Sequence, residues 1–176
     1  MLPNPNPSIA VLLPCYQEEK TIGKVVADFR RVLPQATIYV YDNNCTDNTA
    51  EIARKAGAVV RREKRQGKGF VVASMFEQID ADILVMVDGD DTYDAASAPR
   101  LIERLLESRL DMVVGLRRHE VEAAYRPGHV FGNWLLTSLV NWAFEAKIAD
   151  MLSGYRVMTR RFVKSFPALS TGFEIE

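Results

Sequence analysis

Ile83-Leu84-Val85-Met86-Val87-Asp88-Gly89-Asp90-Asp91-Thr92-Tyr93-Asp94 is the stretch on which the fold turns. Its first five residues are apolar and partly β-branched, the pattern of a short strand buried on both faces. Four carboxylates follow within seven residues, from Asp88 to Asp94, starting where that strand should end. Carboxylates this crowded repel one another unless a cation or protons intervene. A hard divalent ion favours such oxygen ligands and often shares them with substrate phosphates. In open α/β sheets, ligands bind beyond the carboxyl ends of the strands. The run therefore predicts a metal-phosphate site at a strand end.

Working outward from it, strands and helices alternate. Ile9 to Leu13 reads as a buried strand, and Ile22, Val25, Val26, Phe29 and Val32 then recur at helical spacing until Pro34. Thr37 to Tyr41 is the next strand. A helix from Thr46 or Asn48 to Ala56 is expected to start on a capping box of Asn48 and Glu51 and to stop at Gly57. Ala58 to Arg61 is a third strand, and Gly67-Lys68-Gly69 opens a helix that runs to about Ile79. Ile83 to Val87 is the fourth strand. Pro99 suits the first turn of a helix carrying Leu101, Ile102, Leu105 and Leu106, and Asp111 to Gly115 is a fifth strand. Such alternation predicts an α/β fold: a Rossmann-like, mostly parallel sheet with helices on both faces.

The chain has 176 residues, enough for one domain with a core. Its net charge of −1 offers no global basic field for nucleic acid. The local cluster Arg61, Arg62, Lys64, Arg65 and Lys68 reads first as a solvated face or loop. Cys15 and Cys45 have no metal-ligand spacing, and a reduced, cytoplasmic setting suits them. Residues 1–8, with Pro3, Pro5 and Pro7, read as a flexible tail without the regions of a signal peptide. Residues 9–176 then read as a single domain. The abrupt end at Gly172-Phe173-Glu174-Ile175-Glu176 leads us to expect a natural chain that continues. Val130 to Phe144 is apolar on nearly every face, as a buried helix would be; a helix beside a membrane or lipid acceptor is the alternative.

Three strand ends carry unusual polar groups: Pro14-Cys15-Tyr16-Gln17-Glu18-Glu19 after the first, Asp42-Asn43-Asn44-Cys45-Thr46-Asp47-Asn48-Thr49 after the second, Asp88-Gly89-Asp90 after the fourth. In a parallel sheet they share one edge. A nucleotide there would stack on Tyr16 and hydrogen-bond to Glu18 and Asp42, while Asp88 and Asp90 hold a metal on its diphosphate. Taken singly, Asp42 suits an Asx-turn and Glu18 a helix dipole; together they point to a nucleotide.

With these motifs in order, the chain resembles the family 2 glycosyltransferases of GT-A fold. It is most similar to the branch of dolichol-phosphate mannose synthase and bacterial polyprenyl-phosphate glycosyltransferases. Leu13 to Glu19 resembles the family's P-x-Y-N-E-E, with Gln17 for Asn. Tyr41 to Thr49 resembles V-D-D-x-S-x-D-x-T, with Asn43 for the second Asp and Cys45 for Ser. Gly67-Lys68-Gly69 resembles the upstream K-G segment and Asp88-Gly89-Asp90 the D-x-D. Val114 to Arg117 looks like V-G-x-R, and Asp150 to Arg156 like D-x-x-S-G-F-R. Thr92 stands where the lipid-phosphate branch often has Gln.

The resemblance implies a transferase that moves a sugar from a nucleotide-diphosphate sugar to a polyprenyl phosphate or another glycan precursor, at the inner face of the membrane. It implies donor binding by Pro14, Tyr16, Glu18, Asp42, Lys68, Asp88 and Arg117. Mg²⁺ or Mn²⁺ would sit on Asp88 and Asp90, Arg126 and Arg156 would meet the acceptor phosphate, and Asp150 would act as base or as an acceptor-site carboxylate. Catalysis would rest on Asp150 and Asp90, and the membrane would be reached through a further C-terminal segment. His119 and His129 read as surface or loop residues.

Two other readings stay open. Asp88-Gly89-Asp90-Asp91-Thr92 also fits the D-x-D-x-T of haloacid-dehalogenase-type phosphatases, with Asp88 as nucleophile and Asp90 as acid/base. That motif normally lies on the first strand of its domain, and here it follows the fourth. A nucleotide-binding domain without turnover is the other.

Overall fold

The computed structural model describes residues 6–115 and 153–165. Among them the order is β1 (Ile9–Cys15), α1 (Ile22–Val32), β2 (Thr37–Asp42), α2 (Thr49–Lys55), β3 (Val59–Arg62), α3 (Lys68–Gln78), β4 (Ile83–Met86), α4 (Ala98–Glu107), β5 (Met112–Val114), β6 (Arg156–Thr159) and α5 (Arg160–Ser165), with a 3₁₀ turn at Ala95–Ser97 before α4. The sheet order is β3-β2-β1-β4-β6-β5.

The continuous apolar runs of β1 and β4 have a direct cause. Successive strand residues face opposite sides, and both sides are covered. Val11, Leu13, Ile83 and Val85 join Val25, Val26, Phe29, Ile102 and Leu105 of α1 and α4 in one core. Ala10, Leu12, Leu84 and Met86 join Val71, Val72, Met75 and Phe76 of α3, with Val163 of α5, in the other. A strand packed on both faces has no place for polar alternation.

The four strands β3, β2, β1 and β4 are parallel, as the alternation implies. The second half of the sheet differs. The fifth strand does not pair with β4; β6 lies between them and runs antiparallel to both. Sequence periodicity misses β6 because it is four residues long and starts on a charge, Arg156. Side chains lock it in place: Thr159 Oγ1 donates to Asp111 Oδ1 at 3.0 Å, and the Arg161 guanidinium pairs with the same carboxylate at 2.8 Å.

The helix ends follow local chemistry with two differences. Asn48 precedes α2 but makes no side-chain cap. Asp47 takes that role by accepting from the Thr49 amide at 3.0 Å, and Glu51 pairs with Lys55 instead of closing a capping box. Gly57 follows α2 at φ 94°, the left-handed turn that glycine adopts without strain. Ser8, expected in the tail, is held: its amide and hydroxyl both donate to Asp82 Oδ2, at 2.9 and 3.0 Å. No helix among the described residues is long and apolar enough to cross a membrane. The apolar stretch Val130 to Phe144 lies outside the described residues.

Candidate active site

Parallel pairing brings three strand ends to one edge. Cys15 is in register with Asp42, and beyond the ladder Val87 donates to Leu12 O at 3.1 Å. A cavity of about 560 Å³ opens there, within the size range of small-ligand sites. The β1 end supplies Pro14, Cys15, Tyr16 and Glu18, the β2 end Asn43, the segment before α3 Gln66, Gly67 and Lys68, and the β4 end Asp88, Gly89, Asp90, Thr92 and Tyr93.

The walls differ in character. On one side Tyr16 presents its ring with 55% of the residue exposed, a surface on which a planar base can lie. On the other stand the carboxylates. Lys68, at the first residue of α3, places Nζ 2.8 Å from Asp88 Oδ1; its side chain is only 11% exposed. Asp90 Oδ1 accepts from the Thr92 amide at 3.0 Å. Asp91 turns away at φ 63° and pairs with Lys24 at 2.7 Å, while Asp94 caps the 3₁₀ turn through the Ala96 amide. Of the four clustered carboxylates, two face the cavity.

Glu18 is not in the first turn of α1, which contains no acidic residue, so the helix-dipole account of it fails. Burial pushes its carboxyl above the usual range, and Asp90 and Asp88 push it further while a Thr21 hydrogen bond opposes them. Burial likewise pushes the Cys15 thiol up, with Glu18 adding to it. Among the described lining residues, the cavity thus concentrates negative charge around Lys68.

Two close approaches support the acidic loop. Thr21 Oγ1 donates to Gly89 O at 2.7 Å. Gly154 lies so near Asp88 that an added Cβ would stand 2.3 Å from Oδ2. Its amide donates to Tyr93 Oη at 2.7 Å, and the Ser153 hydroxyl next to it donates to Gly115 O at 2.5 Å. Glycine is expected at 154 for a tight turn, but it is absent from the positive-φ residues. The requirement is proximity to the Asp88 carboxylate.

Residues 10–165 match the family model described as glycosyl transferase family 2. The chain belongs to glycosyl transferase family 2. RfbJ of Shigella flexneri is 54% identical over 123 residues, spanning 69% of this chain and 95% of that protein. The glycosyltransferase AglJ of Haloferax volcanii is 34% identical over 99% of this chain and 57% of its own length. A dolichyl-phosphate hexose transferase of the same organism is 30% identical over 88% of this chain and 68% of that protein. Among solved structures, Mycobacterium tuberculosis glucosyl-3-phosphoglycerate synthase, in complex with Mn²⁺, UDP-glucose and phosphoglyceric acid, superposes with a TM-score of 0.77 at 25% identity, over 96% of this chain and 61% of that one. This chain therefore spans little more than half of AglJ and of the synthase. The fold is GT-A, and family membership removes the phosphatase reading of D-x-D-x-T.

In this family 2 domain the structure brings Pro14, Tyr16, Glu18, Lys68, Asp88 and Asp90 to one cavity. Asp42 is not among the lining residues. It is buried, and its Oδ1 accepts from the Cys45 amide at 2.7 Å, an Asx-turn that shapes the loop. Arg156 starts β6 opposite Met86, on the edge that carries the site, and its Nε donates to Ser153 O at 3.2 Å; it does not line the cavity. Arg117, Arg126 and Asp150 lie outside the described residues, as do His119 and His129. Sequence reasoning passes over Tyr93, Gln66 and Glu63. Only the alternation of Glu63 with the flanking basic residues marks the last of these.

No three His, Cys, Asp or Glu side chains among the described residues gather into a cage for a metal. Mg²⁺-type ions do not need one, because they take one or two carboxylates and complete their shell with water and substrate phosphates. Asp88 and Asp90, facing a cavity of that size beside a raised Glu18, fit this mode.

Proposed function

We propose that this domain transfers a sugar from a nucleoside-diphosphate sugar to a polyprenyl phosphate, with Mg²⁺ or Mn²⁺ held by Asp88 and Asp90. One observation carries the reading: an exposed aromatic ring and an acidic pair with its own lysine face one cavity at the ends of parallel strands. The name of one relative, the dolichyl-phosphate hexose transferase, supports a lipid-phosphate acceptor.

When bound, the divalent ion supplies Lewis-acid stabilisation of the charge that builds on the diphosphate as the sugar departs. The chain's own residues do the rest. Pro14 and Tyr16 hold the base, and Glu18 orders the β1 loop through its amide, which donates to Thr49 Oγ1 at 2.8 Å. Lys68 adds positive charge at the diphosphate, next to the N-terminus of α3, where helix polarity also favours an anion. Arg117 serves the donor, and Arg126 and Arg156 receive the acceptor phosphate as bidentate forks. The sugar's anomeric bond to the diphosphate oxygen breaks, and an acceptor phosphate oxygen forms the new one. That oxygen is already anionic near neutral pH, so Asp150 orients the acceptor and no strong base is needed. Such an acceptor would bring the whole protein to a membrane, and we assign it to the inner face.

The test is label transfer. Membranes holding the full-length protein, given a nucleotide-sugar radiolabelled in the sugar, should yield a polyprenyl-phosphate sugar whose label is released by mild acid and whose formation is lost with EDTA. Transfer only to a water-soluble acceptor overturns the lipid assignment; hydrolysis of generic phosphate esters without transfer overturns the whole reading.

A further inference from the structure

The segment from Glu63 to Gly67 leads into Lys68 and lends Gln66 and Gly67 to the lining of the cavity, and two buried side chains hold it. Asn43 is 4% exposed and Glu63 is 8% exposed. Asn43 Nδ2 donates to Arg65 O at 2.7 Å and to Glu63 O at 3.1 Å. Its Oδ1 accepts from the Gly67 amide at 2.8 Å and from Gln66 Nε2 at 3.3 Å. Both amide hydrogens and the oxygen are thus engaged with the protein itself. Glu63 accepts from the Arg65 amide at 2.8 Å, from Arg65 Nε at 3.0 Å and from the Ser74 hydroxyl. Ser74 lies on α3, the helix that Lys68 begins. Gly67 joins segment and helix at φ 134°, which only glycine adopts comfortably.

We propose that Asn43 and Glu63 are positioning residues: together they clamp the 63–67 segment between β2 and α3, and so set the Lys68 ammonium against Asp88. The inference rests on the proposed donor site for its functional meaning, since Lys68 matters only if a diphosphate binds there. Asn43 ties the end of the segment to the β2 loop, and Glu63 ties its start to the body of α3. Lys68 is the next residue in line. An aspartate at 43, which the family pattern would suggest is tolerated, would turn a carboxylate oxygen toward the carbonyls of Glu63 and Arg65 and lose both donated bonds.

The test has two parts on the full chain. Amide hydrogen exchange across Gly67–Gly69 needs no ligand; Asn43→Asp should raise it at least about tenfold. The second part is a double-mutant cycle of Asn43→Asp with Lys68→Met, read as Mn²⁺-dependent affinity for a nucleoside diphosphate. We expect Asn43→Asp alone to cost about tenfold and to cost almost nothing once Lys68 is gone. Equal costs in both backgrounds mean that residue 43 acts on the base or on the fold, and overturn the positioning role. Unchanged exchange overturns the clamp without touching the donor-site reading. A wild-type chain that binds no nucleoside diphosphate overturns that reading, and the exchange result then decides the clamp. Should Asn43→Asp fail to fold, Glu63→Gln weakens the hold on Arg65 and Ser74, loosens the same segment, and carries the same exchange measurement and the same cycle.

Discussion

The loops that follow β2 and β3 satisfy one another, whereas the loop that follows β4 does not. In the first pair, Asn43, Asn44 and Glu63 bond to the backbone or side chains of residues 62–67, and Gln17 reaches across to the Thr46 amide at 2.8 Å. In the second, Asp88 has Lys68, Asp90 takes one amide, and Glu18 is held above its usual range beside both. The lesson concerns division of labour. A wall whose polar groups are internally paired is a rigid shape that gains little from a ligand. A wall with surplus negative charge is a site that a cation would complete.

Four changes would break or sharpen this contrast, in falling order of expected effect. Gly154→Ala strikes the acidic wall from behind, because its methyl would stand 2.3 Å from Asp88 Oδ2. We expect metal-dependent nucleotide affinity to fall at least about thirtyfold, roughly 2 kcal/mol, as titration calorimetry would read it. Retained affinity would show that Asp88 has room to move. Glu63→Gln strikes the paired wall. The Arg65 and Ser74 hydrogen bonds hold the Glu63 carboxyl down at about 2, against an ordinary 4.5. A depressed carboxyl stabilises the fold above its unfolded value and loses that contribution as pH falls toward the folded one. The variant should therefore melt several degrees lower at pH 7, a loss of about 1–3 kcal/mol, with the gap closing between pH 4.5 and about 2. A gap independent of pH would contradict the charge-based account.

Glu18→Gln should act with the opposite sign. Its carboxyl is raised chiefly by burial and by Asp90, so its charged form works against folding, and that penalty grows as pH rises through the raised value. Without metal the variant should melt slightly higher than the wild type at neutral pH and no higher in acid. A lower melting point at neutral pH would mean that Glu18 is a structural acceptor. Smallest is Tyr155→Phe. The Tyr155 hydroxyl is buried without a hydrogen-bond partner among the described residues, and burial pushes it well above its ordinary value. Removing it should be neutral or raise the melting temperature by a degree or two; a clear loss would reveal a bound water.

Much of this division is legible in the chain. The apolar runs of β1 and β4 announce strands covered on both faces, and the polar turns after them mark the edge where the cavity lies. What stays hidden is of two kinds. The placement of β6 between β4 and β5 depends on Thr159, Arg161 and Asp111 meeting across about fifty residues, which no local period encodes. The other kind is the work a polar residue does. Asp42 and Asn43 are neighbours in one motif, yet Asp42 shapes a turn and Asn43 pins a distant segment. Gly154 looks like a turn residue until Asp88 is seen against it. Residue type gives the capacity to bond, and only the fold assigns the partner.

The central claim is that the acidic wall holds a divalent ion on a nucleoside diphosphate. The most direct measurement is calorimetric titration of UDP and GDP into the wild type and Asp90→Ala, each with Mn²⁺ and with EDTA, alongside their melting temperatures. Wild type should bind at least one of the two nucleotides tightly with Mn²⁺ and weakly without. Asp90→Ala should lose that difference and melt no lower than the wild type, since it removes an exposed charge from a crowded set. A Mn²⁺-dependent affinity that survives in Asp90→Ala would contradict the assignment.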